Sequence, residues 1–157
     1  MEIVRAGKEH TLQIIEVWRE FIQFNIEAEL LWNPGENAAG EFEKQLTEQL
    51  KSGNDLVLVA IEESRVVGFA VATIGGRPKI FRVAKYGTIS DIGIKKEFRH
   101  QGIGERLLAE IMSWFKTNNV ALAEVAVLAK NQVATSFWAK QGFQGFSHRM
   151  YRLIAPQ

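Results

Sequence analysis

Thr88–Phe115 reads TISDIGIKKEFRHQGIGERLLAEIMSWF, and it divides into a strand, a loop and a helix. Thr88–Ile94 is β-branched and apolar apart from Ser90 and Asp91, which predicts a strand. Ile103, Leu107, Leu108, Ile111, Met112 and Phe115 recur at helical spacing. Between them lies Arg99-His100-Gln101-Gly102-Ile103-Gly104. Two glycines one residue apart at the mouth of a helix let several backbone N–H groups converge where the helix dipole adds partial positive charge. Such a turn suits a phosphate or pyrophosphate.

Working outward toward the C-terminus, Asn118-Asn119 ends the helix and Val120–Leu128 reads as another strand, with Glu124 set among apolar neighbours. A carboxylate in mid-strand needs a partner or water. Asn131–Gln141 is predicted as a short helix, and Gly142-Phe143 has the pattern of a glycine stop followed by an apolar residue. Phe143–Phe146 and His148–Ile154 are then expected to supply one or two closing strands.

Toward the N-terminus, Leu56–Ile61 and Val66–Ile74 are apolar runs around the polar turn Glu62-Glu63-Ser64-Arg65, which predicts an antiparallel hairpin buried on both faces. Ile80–Tyr86 reads either as a further strand or as a ribbon-like loop carrying Arg77, Lys79, Arg82 and Lys85 beside it. A one-sided helix with Phe42, Leu46 and Leu50 precedes the hairpin, after a loop rich in Pro, Gly and Asn at Asn33–Gly40. Ile3–Arg5 is a short strand candidate, and a helix is expected from Leu12 to about Phe24. Trp18, Phe21 and Phe24 carry its apolar surface past the usual stripe, so either a second element covers them or they line an acceptor pocket.

The chain has 157 residues, of which 46% are hydrophobic and 24% charged, enough for one domain over 1–157 with a sizeable core. A formal net charge of +1 gives no global field for nucleic acid or an anionic membrane, so neither is expected as a partner. The absence of cysteine excludes disulfides, thiolate metal sites and thiol nucleophiles. His10, His100 and His148 have no ligand spacing, so no metal is expected. The N-terminal residues lack a signal-peptide core, and no apolar run approaches the ~20 residues of a membrane span, which predicts a cytoplasmic protein. Strands clustered before an alternating β-loop-α and β-α-β half imply an α/β fold with a mixed sheet and helices on its faces.

Three anion-binding patterns compete for residues 99–104. A P-loop requires lysine and a hydroxyl after the last glycine, where Glu105-Arg106 stands. A dinucleotide fingerprint requires a third glycine where Leu107 stands, on a first strand. What remains is R-x-x-G-x-G after a strand, with Asn131-Gln132-Val133-Ala134-Thr135-Ser136-Phe137-Trp138-Ala139-Lys140-Gln141-Gly142-Phe143 downstream. On these residues the chain resembles the GNAT family of N-acetyltransferases, whose signatures are Q/R-x-x-G-x-G/A and N-x-x-A-x-x-F-Y-x-x-x-G-F. The close resemblance runs from about Thr88 to Phe143.

The resemblance implies a central, mostly antiparallel twisted sheet of six to seven strands with about four helices, and a splayed parallel strand pair that takes acetyl-CoA. It implies that backbone groups around Ile92, Gly93 and Ile94 bond the pantetheine arm, and that Gln101, Gly102, Ile103 and Gly104 hold the pyrophosphate. Arg99 and His100 would brace that loop, with Asn131, Phe137 and Trp138 as further cofactor-binding residues. The acceptor would be a small-molecule or peptide amine, and a free strand edge could pair two chains into a homodimer.

Acyl transfer requires a neutral amine, and a lysine with a reference pKa of about 10.4 is neutral at pH 7 at a cost of roughly 4–5 kcal/mol. Asp91 is the first choice of general base and Glu124 the second, with Glu27 and Glu29 as distant options. The tyrosine that serves the family as general acid is replaced by Trp138, whose indole can donate a hydrogen bond but not a proton. A non-catalytic acyl-CoA-binding or sensing module is therefore an alternative reading, and a nucleotide-binding regulator is a third that rests on the anion loop alone.

Overall fold

The computed structural model describes residues 1–29, 31 and 33–154. Among them, five strands form one sheet in the order β1 (Glu2–Arg5), β2 (Asp55–Glu62), β3 (Arg65–Gly76), β4 (Lys85–Ile94) and β5 (Ala123–Val125). All neighbours are antiparallel except β4 and β5, which run parallel. The helices are α1 (Thr11–Ala28), α2 (Ala38–Gln49), α3 (Ile103–Thr117) and α4 (Gln132–Lys140). No described helix is long and apolar enough to cross a membrane.

The β2–β3 hairpin is the spine. Glu63 and Ser64 turn it with φ of 47° and 65°, the double left-handed geometry that matches strand twist in a two-residue hairpin loop. Its apolar runs are continuous because both faces are covered. Leu56, Leu58, Ala70 and Ala72 face α3 and α4, together with Ile89, Leu107, Ile111 and Phe115. Val57, Val59, Phe69 and Val71 face α1 and α2, together with Ile14, Val17, Trp18, Phe42 and Leu46. The first helix runs one turn beyond Phe24, and α2 covers part of its wide apolar surface. Trp18 stacks on Phe42 with ring centroids 4.5 Å apart, while Phe21 meets Phe69 edge-on at 6.3 Å.

The sheet has five strands instead of the expected six to seven. Residues 77–84 are a loop, closed by Arg77 N–H donating to the Ala84 carbonyl at 2.7 Å, and β4 begins only at Lys85. The strand expected over Val120–Leu128 is confined to Ala123–Val125, because a strand is defined by its ladder and β4 pairs with β5 only over Gly87–Ile89. The closing strands expected in Phe143–Ile154 do not form among the described residues, and Phe146, Met150 and Ile154 there face solvent.

Candidate active site

Past Ile94 the chain makes a short 3-10 turn at Lys96–Phe98 and enters α3 through two left-handed residues, His100 (φ 60°) and Gly102 (φ 77°). An ideal Cβ on Gly102 would meet nothing within 4 Å, so what calls for glycine there is the backbone angle, not the space. No side chain caps α3. Arg106 N–H donates to the Gly102 carbonyl at 3.1 Å, so the amides of Ile103, Gly104 and Glu105 precede the first helical bond and lie open. This uncapped terminus fits an anionic ligand such as a pyrophosphate.

Arg99 braces the loop in two directions. Its Nε donates to the Ile94 carbonyl at 3.1 Å, and its guanidinium lies 5.0 Å from the centre of the Phe24 ring. One of the strand-end acceptors expected for a pantetheine arm is thus already engaged by the protein. His100 is exposed, and the Gln101 side chain donates to the Glu97 carbonyl at 3.1 Å.

Beside this loop β4 runs on beyond its pairing with β5, which ends at Ile89 and Val125. Val71 pairs with Asp91 and Ala72 with Ile89, which leaves Ser90 unopposed as a bulge. The bulge turns Asp91 toward the α1 face, since its partner Val71 belongs to that core. Gly93 is on the same face, where an ideal Cβ would stand 2.5 Å from the Phe69 ring and 3.3 Å from Phe21. Burial alone pushes the Asp91 carboxyl up to about 6. The residue as a whole is only partly covered.

Glu124 pairs in register with Thr88 and shares the Asp91 face, but its carboxylate is bound by Arg77. Arg77 also lies over the Tyr86 ring, 4.7 Å from its centre. The ion pair engages that carboxylate and anchors the 77–84 loop to β5. Glu29 bonds Lys130 at 3.1 Å, and that contact, followed by the Leu31 amide, holds its carboxyl below the usual range. Glu27 is exposed on α1.

On the far wall, Asn131 is buried and caps α4: its Oδ1 accepts from Ala134 N–H at 3.0 Å. Phe137 lies against the start of α3, its ring 3.4 Å from an ideal Cβ on Gly104. Trp138 is core, set edge-on between Phe137 and Phe143. Of the aromatic trio on α1, Trp18 and Phe21 pack into the core and only Phe24 reaches the opening, beneath Arg99. Tyr86 is covered by Arg77 and Tyr151 is exposed.

Sequence reading named Arg77 as one of a basic run and missed its pairing with Glu124; it missed Asn25 altogether, which accepts at Oδ1 from Asn131 Nδ2 at 3.2 Å. It also missed the bulge, which had a signal: two adjacent polar residues, Ser90-Asp91, interrupt an alternating strand.

The sequence model of the acetyltransferase (GNAT) family matches residues 18–143. An uncharacterized N-acetyltransferase of Archaeoglobus fulgidus is 34% identical over 92 residues, spanning 59% of this chain and 62% of that relative. Among solved structures, a mutant form of a Bacillus halodurans protein superposes with a TM-score of 0.86 at 19% identity, over 99% of this chain and 100% of that one. A predicted acetyltransferase from Clostridium acetobutylicum, solved with acetyl-CoA, superposes with a TM-score of 0.80 at 15% identity, over 98% of this chain and 96% of that one.

Proposed function

The chain belongs to the acetyltransferase (GNAT) family, and from that premise we propose that it transfers an acetyl group from acetyl-CoA to the primary amine of a small molecule, peptide or protein by direct attack of the amine. The observation that carries this reading is the uncapped N-terminus of α3 beside the part of β4 that β5 leaves unpaired beyond Ile89, which carries Asp91 on its α1 face.

The amides of Gln101–Gly104 are the pyrophosphate grip, Arg99 fixes their loop, and Phe137 borders it. Backbone groups of Ile92 remain for the pantetheine arm, in the manner of a strand added to a sheet edge, whereas those of Gly93 point to β3. When bound, acetyl-CoA supplies an activated acyl group on a leaving thiol.

Asp91 is the general base. With its pKa raised to about 6, it is mostly ionised at neutral pH yet a better proton acceptor than an ordinary carboxylate. It accepts the proton that the attacking amine must lose. Trp138 is buried and has no proton to give, so this chain lacks the usual donor at that position and relies on the thiol-like acidity of the leaving group.

The test is calorimetric titration with acetyl-CoA followed by thiol release with a panel of diamines, amino acids, amino sugars and peptides. The chain contains no cysteine, so released CoA is read without background. Binding with turnover of at least one amine is expected. Binding without turnover favours the second reading, an acyl-CoA sensor, for which the buried Trp138 speaks. Failure to bind acetyl-CoA overturns both.

A further inference from the structure

Helix α1 touches both sides of the β4/β5 opening, through two neighbouring stripes. One stripe is Glu16, Glu20 and Phe24, spaced four apart so that they share a face. These meet consecutive points after β4: Glu16 pairs with Lys95 at 3.6 Å, Glu20 accepts from the Lys96 amide at 3.0 Å, and Phe24 carries Arg99. The second stripe is Asn25 and Glu29, which meet Asn131 and Lys130 at the entrance to α4. Between the two walls, β4 and β5 hold each other over only three residue pairs. The sheet alone therefore does little to fix their separation.

We infer that α1 is a two-sided brace that sets the width of the cofactor opening, with Asn25 as the residue that positions the α4 wall through Asn131. The inference rests on the reading that this opening takes CoA.

The hydrogen-bond polarity explains why the residue is asparagine. Asn25 Nδ2 donates to the Phe21 carbonyl at 3.1 Å, which leaves Oδ1 as the acceptor facing α4. Asn131 uses its own Oδ1 to cap α4, so only its Nδ2 is left to face α1. The two amides fit in one orientation only, and both are satisfied. Leucine has the size of Asn25 but would leave the buried Asn131 Nδ2 unpaired. Aspartate would still accept from Asn131 but would face the Phe21 carbonyl without a proton. The Glu29–Lys130 contact adds less, because Lys130 is exposed and its charge is screened.

The test compares CoA affinity, melting temperature and hydrogen exchange of residues 21–29 in the wild type, Asn25→Leu, Asn25→Asp and Glu29→Gln. Asn25→Leu is expected to raise the CoA dissociation constant about tenfold, the equivalent of one lost buried hydrogen bond. It should raise the KM for acetyl-CoA more than it lowers kcat, together with a modest fall in melting temperature, since the unpaired Asn131 Nδ2 costs more than leucine's better helix propensity returns. CoA should slow exchange over 21–29 in the wild type and fail to do so in Asn25→Leu. Asn25→Asp is expected to fall between, and Glu29→Gln to shift affinity by less than about twofold.

A wild type that binds CoA while Asn25→Leu binds it equally well with the same exchange protection overturns the brace and leaves the acetyltransferase reading intact. A lower melting temperature with unaltered affinity does the same, since it marks a merely structural contact. Should Asn25→Leu not fold, Asn25→Asp binding CoA as the wild type does is the overturning result. A wild type that does not bind CoA removes the reading on which the brace rests.

Discussion

The β2–β3 hairpin and the β4–β5 pair belong to one sheet and are built in opposite ways. The hairpin pairs from Asp55–Thr73 to Glu62–Arg65 and is covered on both faces by apolar side chains. The β4–β5 pair holds over three residues and carries Asp91, Glu124 and Thr88 on one face. Cohesion resides in the first, and the second gives up ladder bonds to leave an opening with a carboxylate of raised pKa beside it. If that division is right, substitutions on the two sides differ in kind: on the hairpin they cost stability, and at the split they change rate and can even raise stability.

The largest effect on stability is expected at Phe69. It is fully buried, meets Phe21 and Phe42 edge-on, and lies under Gly93, so it joins the hairpin to both α1 and β4. Phe69→Ala should destabilise by about 3–5 kcal/mol in urea unfolding, much of what a domain of this size has. A loss below about 1 kcal/mol would remove the hairpin from its place as the cohesive half.

Asp91→Asn should act in the opposite direction. The folded-state pKa lies above the unfolded value of 3.8, so between about pH 4 and 6 the folded chain keeps a proton that the unfolded chain has released. Stability therefore falls as pH rises through that window, by up to about 2–3 kcal/mol, and the penalty is fully present at neutral pH. Asparagine carries no charge to desolvate. The variant is expected to melt higher than the wild type at pH 7.5 and to show little difference at pH 4, while kcat drops by about 10²–10⁴-fold. Equal melting temperatures at both pH values would mean that Asp91 ionises freely, and an unchanged kcat would remove it as the base.

The cohesive half was legible in the sequence because its determinants are local. Continuous apolar runs around a polar turn specify the β2–β3 hairpin, and the glycine pair before a helical stripe specifies the turn into α3. The open half was legible only in part, because its determinants act at a distance. Arg77 meets Glu124 and Asn25 meets Asn131 across the fold, and no local pattern marks either contact. Phe143–Phe146 and His148–Ile154 read as strand, but a strand needs an edge to pair with, and β5 stops after three residues. The extra aromatics of α1 left two readings open, and the stack of Trp18 on Phe42 decides that position in favour of the core.

The smallest effect is expected at the Arg77–Glu124 pair, and it is the one that separates the two carboxylates of the split. Both side chains are partly buried, and the contact joins a loop to a three-residue strand, so a double-mutant cycle with Arg77→Gln and Glu124→Gln should give a coupling of about 0.5–1 kcal/mol. The pH dependence of kcat/KM is more decisive than that energy. With Asp91 as the base, the wild-type profile rises through an inflection near pH 6, and Glu124→Gln keeps that inflection because it alters only the tether of the 77–84 loop. Asp91→Asn should abolish it. Were Glu124→Gln to abolish the inflection and Asp91→Asn to keep it, the base would be the ion-paired carboxylate, and the raised pKa at the bulge would be a cost of opening the sheet that serves no proton transfer.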